Sequence, residues 1–225
     1  MPVFRLDQTI AFPPPQLARE DGLLAVGGDL SVERLVLAYS LGIFPWYSPG
    51  EPILWWAPDP RLVLFPNELN ISRRLARTIR QGVYTVTFDN DFVSVIRNCA
   101  EVERNSGPTG TWIDDEMITA YCKLHELGIA HSVECWEEDT LVGGLYGISI
   151  GGMFFGESMF SKERDSSKVA LAALVEKLTS LDFGCIDCQV STDHLISMGA
   201  REVKGEEFQL LLERYIQPGS PINWK

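Results

Sequence analysis

The sequence has no apolar run of the roughly 20 residues that a membrane-spanning helix needs. Its start, Met1 to Gln8, carries no basic segment leading into an apolar one, so no membrane contact and a cytoplasmic location are expected. Five cysteines in 225 residues is an odd number in a chain too long to depend on disulfides, which suits buried thiols in a reducing compartment. Basic charge is scarce, with 19 Lys and Arg against 31 Asp and Glu and a net charge of −12. That balance leaves no overall basic footprint for nucleic acid. There is no Gly-x-Ser-x-Gly nucleophile context, and His125, His131 and His194 lack ligand spacing, so they are read as structural. No internal repeat is present.

What remains is a globular composition, 45% hydrophobic and 22% charged, able to fill a packed core. The length suits two unequal domains, divided here as 1–61 and 62–225. The first part is punctuated by Phe12-Pro13-Pro14-Pro15, Gly27-Gly28-Asp29, Phe44-Pro45-Trp46 and Trp55-Trp56-Ala57-Pro58-Asp59-Pro60. Prolines remove donors and restrain their predecessors, so a small irregular lobe is expected, with one helix from Ser31 to Gly42. The second part is regular. Helices are expected over Ser72 to Gln81, Asp91 to Ala100, Asp114 to Leu127 and Lys168 to Leu181, and strands over Leu62 to Phe65, Val83 to Phe88 and Gly184 to Val190. Short helices would finish the chain. Three further runs, His131 to Glu137, Leu141 to Ile150 and Met153 to Phe160, would form an antiparallel meander through an acidic turn and Gly151-Gly152. This is an α+β pattern with a mainly antiparallel sheet, in an order similar to GNAT-type acyltransferases. The Gly-rich phosphate loop of that fold is missing, because Glu163-Arg164-Asp165-Ser166-Ser167 stands before the helix, so acyl-CoA has no evident cradle.

Between Arg61 and Gly82 five arginines (Arg61, Arg73, Arg74, Arg77, Arg80) face one acid, Glu68, and five minus one leaves +4. A phosphate backbone would lie there, and Arg73, Arg77 and Arg80 share a helix face opposite Ile71, Leu75 and Ile79. Cys185-Ile186-Asp187-Cys188 spells C-x-x-C, but residues three apart on a strand diverge, so buried thiols are expected instead of a metal site. The same period puts Asp187 and Gln189 on one face, as a satisfied polar pair or as a carboxylate and amide able to orient an amine. Glu157 lies among Phe154, Phe155, Met159 and Phe160, where a carboxylate needs a partner, an internal Lys or Arg or a basic group on a substrate. Trp46 and Trp112 lie in Pro/Gly-rich loops, where an aromatic plate can stack a base.

Six segments, taken in order, resemble the motifs of bacterial leucyl/phenylalanyl-tRNA–protein transferases. They are Gly22 to Leu30, Gly42 to Trp46, Leu54 to Arg61, Gly110-Thr111-Trp112-Ile113, Phe155 to Ser161 and Ile186 to Val190. The resemblance implies a small N-terminal domain, a GNAT-like C-terminal domain, and aminoacyl-tRNA carrying Leu, Phe or Met as donor. It implies a protein beginning with Arg or Lys as acceptor, in the N-degron pathway of protein degradation. The donor ester is already activated, so no metal or organic cofactor is required, and a monomer is expected. Trp46 and Trp112 would hold the 3′ adenosine, and Leu145, Phe154, Gly156, Leu174, Leu178 and Ile186 would line the side-chain pocket. Gln189 would orient the attacking amine, Asp187 would polarise Gln189 or take up the proton, and Glu157 would face the acceptor. Arg73, Arg74, Arg77 and Arg80 are the expected tRNA contacts. An acyl-CoA-dependent N-acetyltransferase and a non-catalytic tRNA-binding protein are the alternatives.

Overall fold

The computed structural model describes residues 3–102, 112–216 and 224; of the motif residues above, Gly110 and Thr111 lie outside them. Seven strands form the larger sheet: β5 (Arg61–Leu64), β6 (Thr85–Phe88), β7 (Ala130–Glu137), β8 (Thr140–Ile150), β9 (Met153–Ser161), β10 (Cys185–Gln189) and β11 (Arg201–Val203). Their order is β11-β5-β10-β9-β8-β7-β6. Every pair is antiparallel except β9 with β10. β7, β8 and β9 make the expected meander, turning at Glu138 and Gly151, both at positive φ.

Helices α3 (Phe92–Glu101) and α4 (Asp115–Glu126) precede the meander, α5 (Ser166–Ser180) follows it, and β10 comes next. This is the GNAT-like order read from the sequence. The signals that start these helices are visible as bonds: Ser72 accepts from Leu75 N ahead of α2 (Arg73–Arg80), Asp91 from Ser94 N, and Asp114 from Met117 N. Each satisfies an N–H that the first helical turn leaves without a partner.

The N-terminal part departs from the irregular lobe expected. β1 (Phe4–Leu6), β2 (Leu23–Gly27), β3 (Phe44–Pro45) and β4 (Leu54–Trp56) form a four-stranded sheet ordered β1-β2-β4-β3. Strands this short can tolerate prolines at their ends, since few ladder bonds are forfeited. Its helix, α1 (Val32–Ser40), stops where expected. Gly42 lies at φ +76°, and a Cβ there would stand 2.7 Å from the Phe208 ring. β11 was also missed, its three residues bounded by the short helix α6 (Asp193–Ser197) and by α7 (Gly205–Tyr215).

The larger sheet separates two apolar clusters, and the period of two sorts its residues between them. Val63, Met153, Phe155 and Cys185 join the first with Leu24, Leu35, Tyr39, Trp55 and Tyr121, so one core runs from the N-terminal sheet into the larger one. Leu62, Leu64, Phe154, Ile186 and Cys188 join the second, beneath α5. Cys185 and Cys188 therefore point to opposite sides, both buried and free. On α2 only Leu75 is buried. Ile71 and Ile79 are exposed and line an open apolar groove of about 760 Å³ between α2, α5 and β6, because the helix leans on α5 with one residue instead of a full stripe.

Candidate active site

β9 and β10 run side by side from the Met153–Cys185 pair to the Phe155–Asp187 pair and then part. Both are bulged at that point. Tyr146 of β8 pairs with Ser158 while Gly147 pairs with Gly156, leaving Glu157 as the extra residue of β9. Asp187 pairs with Val63 while Gln189 pairs with Leu62, leaving Cys188 extra in β10. A bulge bends its strand and re-aims a side chain. Here the two together open a notch and bring Glu157 and Gln189 across it, with the Gln189 Nε2 donating to Glu157 Oε1 at 3.2 Å. Gln189 sits at φ +58°, a conformation that costs a non-glycine residue about 1–3 kcal/mol and persists only when its surroundings hold it.

Asp187 is what holds it. Its Oδ1 accepts the Gln189 backbone N–H at 3.0 Å. Arg61 grips the same carboxylate twice, Nε to Oδ1 at 2.8 Å and Nη2 to Oδ2 at 2.7 Å, with Arg61 and Asp187 both fully buried. The guanidinium lies over the rings of Phe44 and Phe208, at 4.8 and 4.7 Å. Arg61 therefore belongs to the site's frame, and the expectation that it joins a phosphate-binding stretch is withdrawn. A charge so buried needs its counter-ion, and Asp187 supplies it.

Glu157 meets neither lysine nor arginine among the described residues, contrary to the internal cation considered for it. Tyr121 donates to its Oε2 at 3.0 Å, and the Tyr121 and Tyr39 hydroxyls are themselves hydrogen-bonded. Burial pushes both phenols well above their ordinary value, helped by the charge of Glu157. Glu157 keeps part of its surface open, yet its carboxyl is packed closely enough that burial pushes it up to about 7. Its bonds to the tyrosines and the nearby Arg61 pull the other way, and Asp187 adds to the rise. The structure thus adds Arg61, Tyr39 and Tyr121 to the site. The two tyrosines sit at ordinary core positions on α1 and α4, 82 residues apart, and nothing local in the sequence marks them.

The remaining candidates fall into three groups. Leu145, Phe154, Leu174, Leu178 and Ile186 come together in the second cluster, each at most 3% exposed, and Gly156 stands at the mouth of the notch beside the Asp187 carbonyl, 3.7 Å from where its Cβ would be. Trp46 is exposed on a loop and packs against Trp56, with ring centroids 5.7 Å apart. Trp112, half-buried, flanks the start of α4, and the two tryptophan loops meet where Tyr47 Oη reaches Asp114 Oδ1 at 3.5 Å. The arginines of α2 are all exposed, but Arg74 is paired with Asp165 at 3.1 Å. Arg73, Arg77 and Arg80 form no ion pair among the described residues, which contain no cluster of three or more metal-ligating side chains. No helix among them is long and apolar enough to cross a membrane. Of the histidines, His125 bonds the Ala130 carbonyl at 2.9 Å and His131 bonds Asp89 at 2.8 Å.

Comparison with known proteins converges on one group. Family models described as leucyl/phenylalanyl-tRNA protein transferase match residues 63–213, and the N-terminal domain of the same family matches residues 28–59. A leucyl/phenylalanyl-tRNA–protein transferase of Syntrophobacter fumaroxidans is 60% identical over 216 residues, covering 96% of this chain and 92% of the relative. Its counterpart in Anaeromyxobacter sp. (strain K) is 56% identical over 226 residues, 100% and 97%. That of Cellvibrio japonicus is 52% identical over 220 residues, 96% and 93%. Solved structures are far more distant. L-PGS from Bacillus licheniformis gives a TM-score of 0.40 at 12% identity, covering 76% of this chain and 54% of its own. A GCN5-related N-acetyltransferase from Kribbella flavida gives 0.38 at 11%, covering 79% and 62%. With both family models and relatives of more than half identity spanning nearly its whole length, the chain belongs to the leucyl/phenylalanyl-tRNA protein transferase family.

Proposed function

We propose that this protein transfers Leu or Phe, and also Met, from aminoacyl-tRNA to the α-amine of a protein beginning with Arg or Lys. The acceptor nitrogen attacks the ester carbonyl carbon, the C–N bond forms, the ester C–O bond breaks, and the terminal ribose hydroxyl leaves with a proton. The observation that carries this reading is the pairing of Gln189 and Glu157 across the notch where β9 and β10 part.

The donor ester is already activated, so placement supplies much of what is needed. Gln189, fixed by Asp187, orients the amine. Asp187 acts through that grip and not as a base, because Arg61 and the Gln189 N–H occupy its oxygens. Glu157 draws the cationic acceptor in and takes its proton. An α-ammonium titrating near 8 and a carboxyl at about 7 differ by about one unit, so that transfer is uphill by only about 1.4 kcal/mol. Trp46 and Trp112 clasp the 3′ adenosine, Leu145, Phe154, Gly156, Leu174, Leu178 and Ile186 form the donor side-chain pocket, and Arg73, Arg77 and Arg80 follow the tRNA backbone. Arg74 joins them only if it leaves Asp165.

The two units are taken as 1–61 and 62–225, although β5, the first strand of the larger sheet, already begins at Arg61. A monomeric cytoplasmic enzyme that marks acceptors for degradation completes the reading. Incubation with labelled Leu-tRNA, or separately with labelled acetyl-CoA, and a protein starting with Arg tests it. Label from Leu-tRNA alone should enter the acceptor; label from acetyl-CoA, or binding of tRNA without transfer, would overturn it.

A further inference from the structure

The donor pocket residues face the second cluster, and one member of that cluster comes from the far end of the chain. Trp224 is 6% exposed and belongs to the same buried cluster as Leu145, Phe154, Leu174, Leu178 and Ile186. Its indole stacks on His131, with centroids 4.0 Å apart and planes 15° off, and on Phe154 at 5.8 Å and 21°. Phe88 meets its edge at 6.5 Å, and the Lys177 ammonium lies 5.2 Å from its ring.

The sheet order says where this puts it. The notch lies on the β10 side of β9, whereas His131 and Phe88 belong to β7 and β6, on the other side. Phe154 stands between the two. Its ring lies over Gly147, where a Cβ would come within 2.5 Å of the ring edge. The ring therefore fills the space that the glycine leaves, and the indole closes it from behind. Trp224 Nε1 has no hydrogen-bond partner among the described residues. Shape and stacking hold the side chain there, and a buried ring held that way acts as a wall.

We infer that Trp224 is the rear wall of the donor side-chain pocket, backing Phe154 and limiting how deep the transferred side chain can enter. The inference rests on the donor-pocket reading above. Shortening Trp224 gives Phe154 room to retreat, which benefits a long Phe side chain more than Leu. A change of one or two carbons' depth in an apolar pocket alters selectivity about 10-fold.

The test compares kcat/KM for Phe-tRNA and Leu-tRNA in Trp224→Ala, Trp224→Phe and Leu174→Ala, at a temperature where circular dichroism shows each folded. Trp224→Ala should raise the Phe/Leu ratio about 10-fold and Trp224→Phe by less, and Leu174→Ala should shift it independently. A tryptophan serving only stability would lower both rates together, so an unchanged ratio in the Trp224 variants, with Leu174→Ala shifted, overturns the inference alone. Unchanged ratios in all three overturn the pocket reading beneath it. Should Trp224→Ala not fold, the Trp224→Phe ratio decides.

Discussion

Two carboxylates flank the parting of β9 and β10, and their surroundings are opposite. Asp187 is sealed, gripped by a guanidinium on two oxygens and by the Gln189 N–H. Glu157 reaches the surface, is bonded by a tyrosine and a glutamine, and titrates at about 7. A fixed ion pair cannot accept a proton without breaking, whereas a carboxyl poised near neutrality can gain or lose one at little cost. On the function proposed above, the difference separates a group that builds the site from one that works in it.

The largest effect should come from breaking the sealed side. Arg61→Ala strands a buried carboxylate, and removing one partner of such a pair costs about 3–5 kcal/mol; a denaturant midpoint within error of wild type would show that the pair is not structural. Gln189→Ala should leave the unfolding midpoint in place while single-turnover transfer falls about 10²-fold, the usual cost of lost alignment. The loss should persist above pH ~8, where Glu157 is ionised with or without its bond from Gln189, since an amide does not titrate. A Gln189→Ala enzyme with the wild-type rate would place the chemistry elsewhere.

Glu157 should reveal itself in stability as well. Its folded value lies above its ordinary 4.5, so the folded protein holds the proton more tightly and stability falls as pH rises from about 4.5 through about 7. Thermal melts between pH 5 and 8 should show wild type losing on the order of 2 kcal/mol more than Glu157→Gln; parallel curves would contradict the raised value. The smallest effect is expected from Arg73, Arg77 and Arg80. Their triple alanine variant should bind tRNA more weakly, with a salt dependence shallower by about one unit per lost phosphate contact, and an unchanged slope would remove α2 from the interface.

What the sequence made legible depended on distance along the chain. The helix starts at Ser72, Asp91 and Asp114 were readable because a cap and its N–H lie three residues apart. The opposed cysteines followed from strand period alone. Arg61 could not be read, because its partner lies 126 residues away, and among four exposed arginines it looked like a fifth. β1 to β4 were hidden by their brevity and prolines, and Tyr39 and Tyr121 look like any core tyrosines until the fold brings them to Glu157. The notch itself arises from two bulges, and a one-residue offset between strands leaves no periodic signal.

The central claim, that Glu157 and not Asp187 handles the proton, is tested most directly by the pH dependence of single-turnover Leu transfer to a peptide beginning with Arg. Wild type should gain rate as Glu157 ionises at about 7, and Glu157→Gln should be slower by about 10²-fold with that inflection gone, leaving only the rise of the amine near 8. A Glu157→Gln enzyme that keeps both the wild-type rate and the inflection near 7 would contradict the account.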